Sequence, residues 1–182
     1  MYFRPESARE NISVKFVVEG LVPRQLPENK NHVLSGFPSV AYLIADGSFR
    51  VPRPNAVVVA ETPEEILSDK VRSLLERRFL KGRDLYDVWY LSAILKTAVN
   101  IKVIERKFKM YMEPFIARRS MDFFAVLTKE SKASMTTAIS QDLSRFLPHD
   151  VFDVQRKESF DAYISTVQSL FKEIKAKGVR LP

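Results

Sequence analysis

The 182-residue chain contains no cysteine, which excludes disulfides and thiolate chemistry and allows a reducing compartment. No apolar run approaches the roughly 18 residues that a membrane-spanning helix needs. The first residues, MYFRPESARENIS, lack an apolar core, so neither a signal peptide nor a membrane anchor is expected, and the location expected is cytoplasmic. The two histidines, His32 and His149, sit in loop-like stretches without ligand companions, so no metal site is expected from them. Internal repeats and low-complexity segments are missing, as is any RNA-binding motif with interleaved aromatics.

What is present suits a compact domain. Hydrophobic residues make up 46% of the chain, enough for one sizeable core or one domain with a helical extension. The net charge of +7 favours polyanionic partners. Basic residues gather at Arg72, Arg77, Arg78, Lys81 and Arg83, and again at Lys102, Arg106, Lys107 and Lys109. The second group reads as the solvated face of a helix whose buried side is Ile101, Ile104 and Phe108. The first group surrounds the candidate site described below, where RNA or a nucleoside triphosphate would be electrostatically welcome.

Along the chain, residues 12–18 alternate and are rich in β-branched side chains, which predicts a strand followed by a proline-containing loop. Residues 40–45 form a short apolar segment, and Asp46-Gly47 reads as a hairpin turn leading into residues 48–51. Residues 56–60 form an apolar run typical of a strand buried on both faces. From Thr62 onward the periodicity is helical, with helices expected at about 63–78, 84–97, 100–113, 119–129, 133–146 and 153–176. The fold class expected is therefore α+β: a small mixed or antiparallel sheet followed by a bundle of about six helices. Residues 1–61 would form the β-rich part, and residues 62–182 the helical part packed on it.

The chemistry-bearing residues cluster between Glu61 and Leu91. Thr62 is a natural N-cap, with Pro63 at the first helical position and Glu65 placed to complete a capping box. Ile66, Leu67, Val71, Leu74 and Leu75 then make one apolar face, and Lys70 lies along it. An ammonium there must snorkel to water or meet an anion. Phe79-Leu80-Lys81-Gly82 breaks the helix, and the next one opens on Arg83-Asp84 with Asp87 one turn on. Structurally, Asp84 can be an N-cap, Asp87 a first-turn residue favoured by the helix dipole, and Arg83 a surface partner of either. Functionally, a lysine on an apolar stripe, a basic link and an Arg-Asp-x-x-Asp opening suit the holding of a phosphate and its metal.

The same residues carry a family resemblance. Glu65 to Lys70, Leu74 to Arg77, and Lys81-Gly82-Arg83-Asp84-Leu85-Tyr86-Asp87-Val88-Trp89-Tyr90-Leu91 resemble the AbiEii/AbiGii-type nucleotidyltransferase-like family. Weaker similarity continues through Gln141-Asp142-Leu143 and covers roughly residues 12 to 175 in all. Its members are toxin components of toxin–antitoxin and abortive-infection systems, built on the polymerase-beta-like nucleotidyltransferase fold. The resemblance implies Lys70, Asp84 and Asp87 as catalytic residues, with Lys70, Arg83, Arg77 and Lys81 binding substrate. It also implies Mg2+ as cofactor, nucleoside triphosphate or RNA as substrate, and a cognate antitoxin.

One part of the family pattern is missing. Members carry a Gly-Ser on a strand-to-helix turn, followed about ten residues later by Asp-x-Asp or a close variant, whose carboxylates hold the metal. Here the single Gly-Ser is Gly47-Ser48, and the chain contains no Asp-x-Asp. The chain is therefore expected to be truncated or inactive as a transferase, with an exposed strand edge favouring a homo-oligomer. Three functions follow: a nucleotidyltransferase-like toxin subunit; a non-catalytic relative that binds nucleotide, RNA or antitoxin; or a helical interaction domain in which Arg83, Asp84 and Asp87 form a structural salt-bridge network.

Overall fold

The computed structural model describes residues 2–3, 12–13, 18–48 and 55–182. Two short antiparallel ladders come first. Tyr2–Phe3 (β1) pairs with Ile12–Ser13 (β2), and Asn29–Val33 (β3) pairs with Val57–Glu61 (β4) in the register Asn29 opposite Glu61 to Val33 opposite Val57. Eight α-helices are present among the described residues, α1 between β3 and β4 and the others after β4: Pro38–Ala45 (α1), Pro63–Glu76 (α2), Gly82–Trp89 (α3), Ile101–Met110 (α4), Asp122–Ala125 (α5), Lys129–Leu143 (α6), His149–Lys157 (α7) and Asp161–Ala176 (α8). The α+β class holds. Two more helices than expected arise because α1 replaces a segment without helical assignment and the last expected helix is divided.

The bundle is organised around α3. Its Leu85 and Val88 are fully buried, and it packs against α2, α6 and α8. Helix α4 covers α2, and α5 rests on α8 with Phe124 stacked on Phe171 at 4.5 Å. The approach of α3 to α6 is close because Gly82 has no side chain. A Cβ built there would lie 2.3 Å from the Ala138 carbonyl oxygen and 2.5 Å from the Ile139 Cα. Asp142 on α6 then accepts a 2.8 Å hydrogen bond from the Gly82 amide, so a neighbouring helix caps α3.

The structure corrects several local expectations. Residues 40–45 belong to α1, since Pro38 starts a helix and short apolar runs do not distinguish helix from strand. Gly47, at φ +77°, ends that helix in the left-handed region instead of turning a hairpin. The expected continuation through residues 49–51, like residues 14–17 of the first expected strand, lies outside the described residues. Strand β3 was not expected, because Asn-Lys-Asn-His-Val has no apolar alternation; its pairing partner supplies the order. Strand β4 is not buried on both faces: Val57, Val58 and Val59 are all exposed, Val59 by 64%.

Helix ends differ for identifiable reasons. Helix α3 stops at Trp89 and passes into a π-helical turn at Tyr90–Ile94 instead of running to residue 97. The helix expected at 119–129 shrinks to α5, because the Arg118 and Arg119 amides donate to the Leu75 carbonyl. The Arg119 guanidinium also donates to the carbonyls of Leu74, Arg77 and Arg78, closing the end of α2. Helix α6 starts earlier than expected, on a Thr128–Ser131 capping box. The expected 153–176 helix breaks at Ser159 and Phe160, both at φ near +55°, where burial of Phe160 against Phe152 and Tyr163 outweighs helical continuity.

The α3–α6 contact gives a direct test. Gly82→Ala should destabilise by at least the 1–3 kcal/mol typical of overpacking, because backbone rather than a flexible side chain occupies the space. Asp142→Ala should lose about 1 kcal/mol, the usual value of a helix cap. Thermal unfolding followed by circular dichroism checks the order, and a Gly82→Ala variant as stable as the parent contradicts the packing described.

Candidate functional site

Helix α2 begins as its sequence dictates: the Thr62 hydroxyl accepts from the Glu65 amide at 3.4 Å, with Pro63 next. Two turns on, Lys70 leaves the apolar face and meets the first turn of α3. Its Nζ lies 3.2 Å from Asp84 Oδ1 and 2.6 Å from Asp87 Oδ2. Arg77, capping the C-terminus of α2, brings its Nε to 3.3 Å from Asp84 Oδ2. Lys70, Arg77, Asp84 and Asp87 thus form one ionic cluster at the α2–α3 junction.

Exposure divides the two carboxylates. The Asp84 side chain is 2% exposed and Asp87 38%, while Lys70 is 24% exposed. Burial alone would lower the Lys70 pKa, but the adjoining Asp87 and Asp84 carboxylates outweigh it and raise it above the ordinary 10.5. Asp84 is not the N-cap of α3. Lys81 holds that position without a side-chain bond, and Asp84 is in the first turn. Arg83 is exposed and Lys81 half-buried, and among the described residues neither pairs with a carboxylate. Arg83 instead lines a 360 Å³ cavity with Tyr86, Asp87, Leu143, Phe146 and Leu147.

A second ionic cluster was not foreseen. Lys107, expected on a solvated face, is fully buried, with Nζ 2.6 Å from Asp69 Oδ2, 3.0 Å from Glu65 Oε2 and 3.4 Å from Glu61 Oε1. Arg106 adds an ion pair to Glu65, which is itself fully buried. Glu65 does not return the capping-box bond; its Oε1 accepts from the Glu28 amide at 3.1 Å, and the Thr62 amide donates to the Glu28 carbonyl. The Tyr111 hydroxyl donates to Asp69 Oδ1 at 2.7 Å, and the Arg72 guanidinium lies 4.1 Å over its ring. Burial raises the Glu61 pKa against the opposing pull of Lys107, and burial together with Asp69 raises that of Tyr111. This cluster ties β4, α2 and α4 together.

The sequence did carry a signal for it. Glu61, Glu65 and Asp69 recur every four residues, and Lys107 shares the stripe of Val103, Ile104 and Phe108. A lysine on a buried stripe facing a row of carboxylates is the same pattern that singled out Lys70.

These donors do not suit a divalent metal. Among the described residues no three Asp, Glu, His or Cys side chains are grouped to hold one. Asp84 and Asp87 converge on the Lys70 ammonium, and Glu61, Glu65 and Asp69 on the Lys107 ammonium. Mg2+ requires a near-octahedral set of oxygens, and here a cation already occupies each focus of negative charge.

A family model described as the nucleotidyl transferase AbiEii toxin of a type IV TA system matches residues 2–166. The chain belongs to this family. No curated protein and no solved structure matches it. Among the described residues, no helix is long and apolar enough to cross a membrane.

Two measurements test the electrostatics. Lys107→Ala should cost about 3–5 kcal/mol, since it takes the buried ammonium from among Glu61, Glu65 and Asp69 and leaves Glu65 Oε2 without that partner; adding Glu65→Gln should recover part of that loss in denaturant unfolding. For Lys70 the raised pKa fixes the sign: its stabilisation is full below pH 10.5 and is lost as pH rises through the higher folded value. The stability gap between the parent and Lys70→Met should therefore be constant near neutrality and narrow above pH 10.5. A gap that widens there contradicts the pairing.

Proposed function

We propose that this chain serves a toxin–antitoxin system as a nucleotidyltransferase-like protein that binds nucleoside triphosphate through Lys70 and does not complete transfer by itself. Family membership supplies the toxin–antitoxin setting and the nucleotidyltransferase-like character. The observation that carries the rest is the state of Lys70: a charged, partly exposed ammonium held by one buried carboxylate and one partly exposed carboxylate.

That asymmetry assigns roles. Asp84 is buried, positions the ammonium and stays. Asp87 is the replaceable partner, so an incoming phosphate oxygen takes its place on Lys70 and gains a charge-assisted hydrogen bond. Arg77, Arg83 and Lys81 add positive charge around the approach. Transfer itself needs in-line attack with the phosphate charge neutralised, which two metal ions supply in enzymes of this chemistry. The chain has no Asp-x-Asp, and its aspartates at the α2–α3 junction are committed to Lys70, so binding is the step its residues support.

Calorimetric titration with nucleoside triphosphate and a labelled-nucleotide transfer assay with Mg2+ or Mn2+ test this. Binding should be weakened at least tenfold by Lys70→Ala and Asp84→Asn, but strengthened severalfold by Asp87→Asn, which removes the competing carboxylate. No label should enter RNA or protein. Robust incorporation lost on Lys70→Ala would overturn the non-transferring role, and equal weakening by both aspartate substitutions would overturn the division of labour between them.

A further inference from the structure

The cavity beside Arg83 is chemically unlike the ionic cluster it adjoins. Leu143, Phe146 and Leu147 form one wall, from the turn closing α6, and Tyr86 and Arg83 form the other, from α3. Phe146 is 67% exposed, an uncovered aromatic at the rim. Tyr86 is held in place by an aromatic cluster, 5.4 Å from Trp89 and 5.7 Å from Tyr163. Asp87 lines this cavity and also pairs with Lys70 at 2.6 Å, so the ammonium lies one carboxylate beyond the cavity wall. A largely apolar, aromatic-walled space of 360 Å³ lined by one guanidinium, with the Lys70 ammonium just beyond Asp87, matches a ligand with a flat ring at one end and anionic charge at the other.

We infer that this cavity seats the base of the nucleotide whose phosphates reach Lys70, with Phe146 stacking on the base and Arg83 holding the charged end at the rim. The inference rests on the nucleotide-binding role proposed above and adds the part of the ligand that Lys70 does not touch. Base–aromatic stacking is worth about 1–3 kcal/mol per base and tolerates different bases, so binding should be strong in rank but weakly selective.

The chain carries its own reporter, because Trp89 is its single tryptophan and packs on Tyr86. Its fluorescence is followed, alongside calorimetry, during titration with each of the four ribonucleoside triphosphates, with inorganic tripolyphosphate, and with the nucleoside of the tightest binder. Phe146→Ser and Arg83→Gln alter exposed side chains and leave the core intact. Phe146→Ser should weaken triphosphate binding about tenfold, the value of 1.4 kcal/mol of lost stacking, and leave tripolyphosphate unchanged. Arg83→Gln should weaken both triphosphate and tripolyphosphate. Nucleoside triphosphate binding that is lost in Lys70→Ala but unchanged in Phe146→Ser would overturn the base seat while leaving the phosphate site standing. Absence of any nucleotide binding, or binding unaffected by all three substitutions, would overturn both.

Discussion

An ammonium on the apolar stripe of one helix, answered by carboxylates in the first turn of the next, is the constraint on which this site depends. Lys70 is three-quarters covered along that stripe, and Asp84 and Asp87 together answer its charge, which would be costly to cover unpaired. Asp84 in turn sits 2% exposed because Lys70 and Arg77 reach it from α2. The pair therefore ties the first turn of α3 to α2. With α3 positioned, Gly82 can close on α6, and the cavity under Arg83 acquires both of its walls.

The Lys107 cluster repeats this solution on another face of α2. Three carboxylates spaced by four residues surround a fully buried ammonium, and the result joins the end of β4 to α4. In both clusters a lysine neutralises carboxylates that might otherwise be read as metal ligands. Acidic residues in a nucleotidyltransferase-like chain invite a metal assignment, but the partner of a carboxylate decides its role. Here that partner is a lysine in each case, which is why the proposed function stops at binding.

Much of this was legible in the residues and some was not. Thr62-Pro63, the apolar stripe of α2 and the Lys70 position follow from helical periodicity alone, and the structure closes the gap between Lys70 and both aspartates with direct ion pairs. What periodicity could not supply was tertiary. Gly82 takes its cap from Asp142, 60 residues away. Burial of Phe160 imposes a left-handed break on an otherwise continuous helical pattern. Glu65 had a plausible local partner in its capping box, but Arg106, the buried Lys107 and the Glu28 amide claim it instead. Residues 40–45 and 56–60 were apolar runs too short for pattern to fix; the first became a helix and the second an exposed strand.

The central claim is that Lys70 holds a permanent bond to Asp84 and an exchangeable one to Asp87. Double-mutant cycles on unfolding free energy, Lys70→Met with Asp84→Asn and Lys70→Met with Asp87→Asn, measure both couplings directly, with and without saturating tripolyphosphate. The account predicts a coupling to Asp84 within the 0.5–3 kcal/mol range of contacting residues, unchanged by the anion. The coupling to Asp87 should be smaller, about 1 kcal/mol or less, and should vanish when the anion is present. An Asp84 coupling of zero, or an Asp87 coupling indifferent to tripolyphosphate, would contradict it.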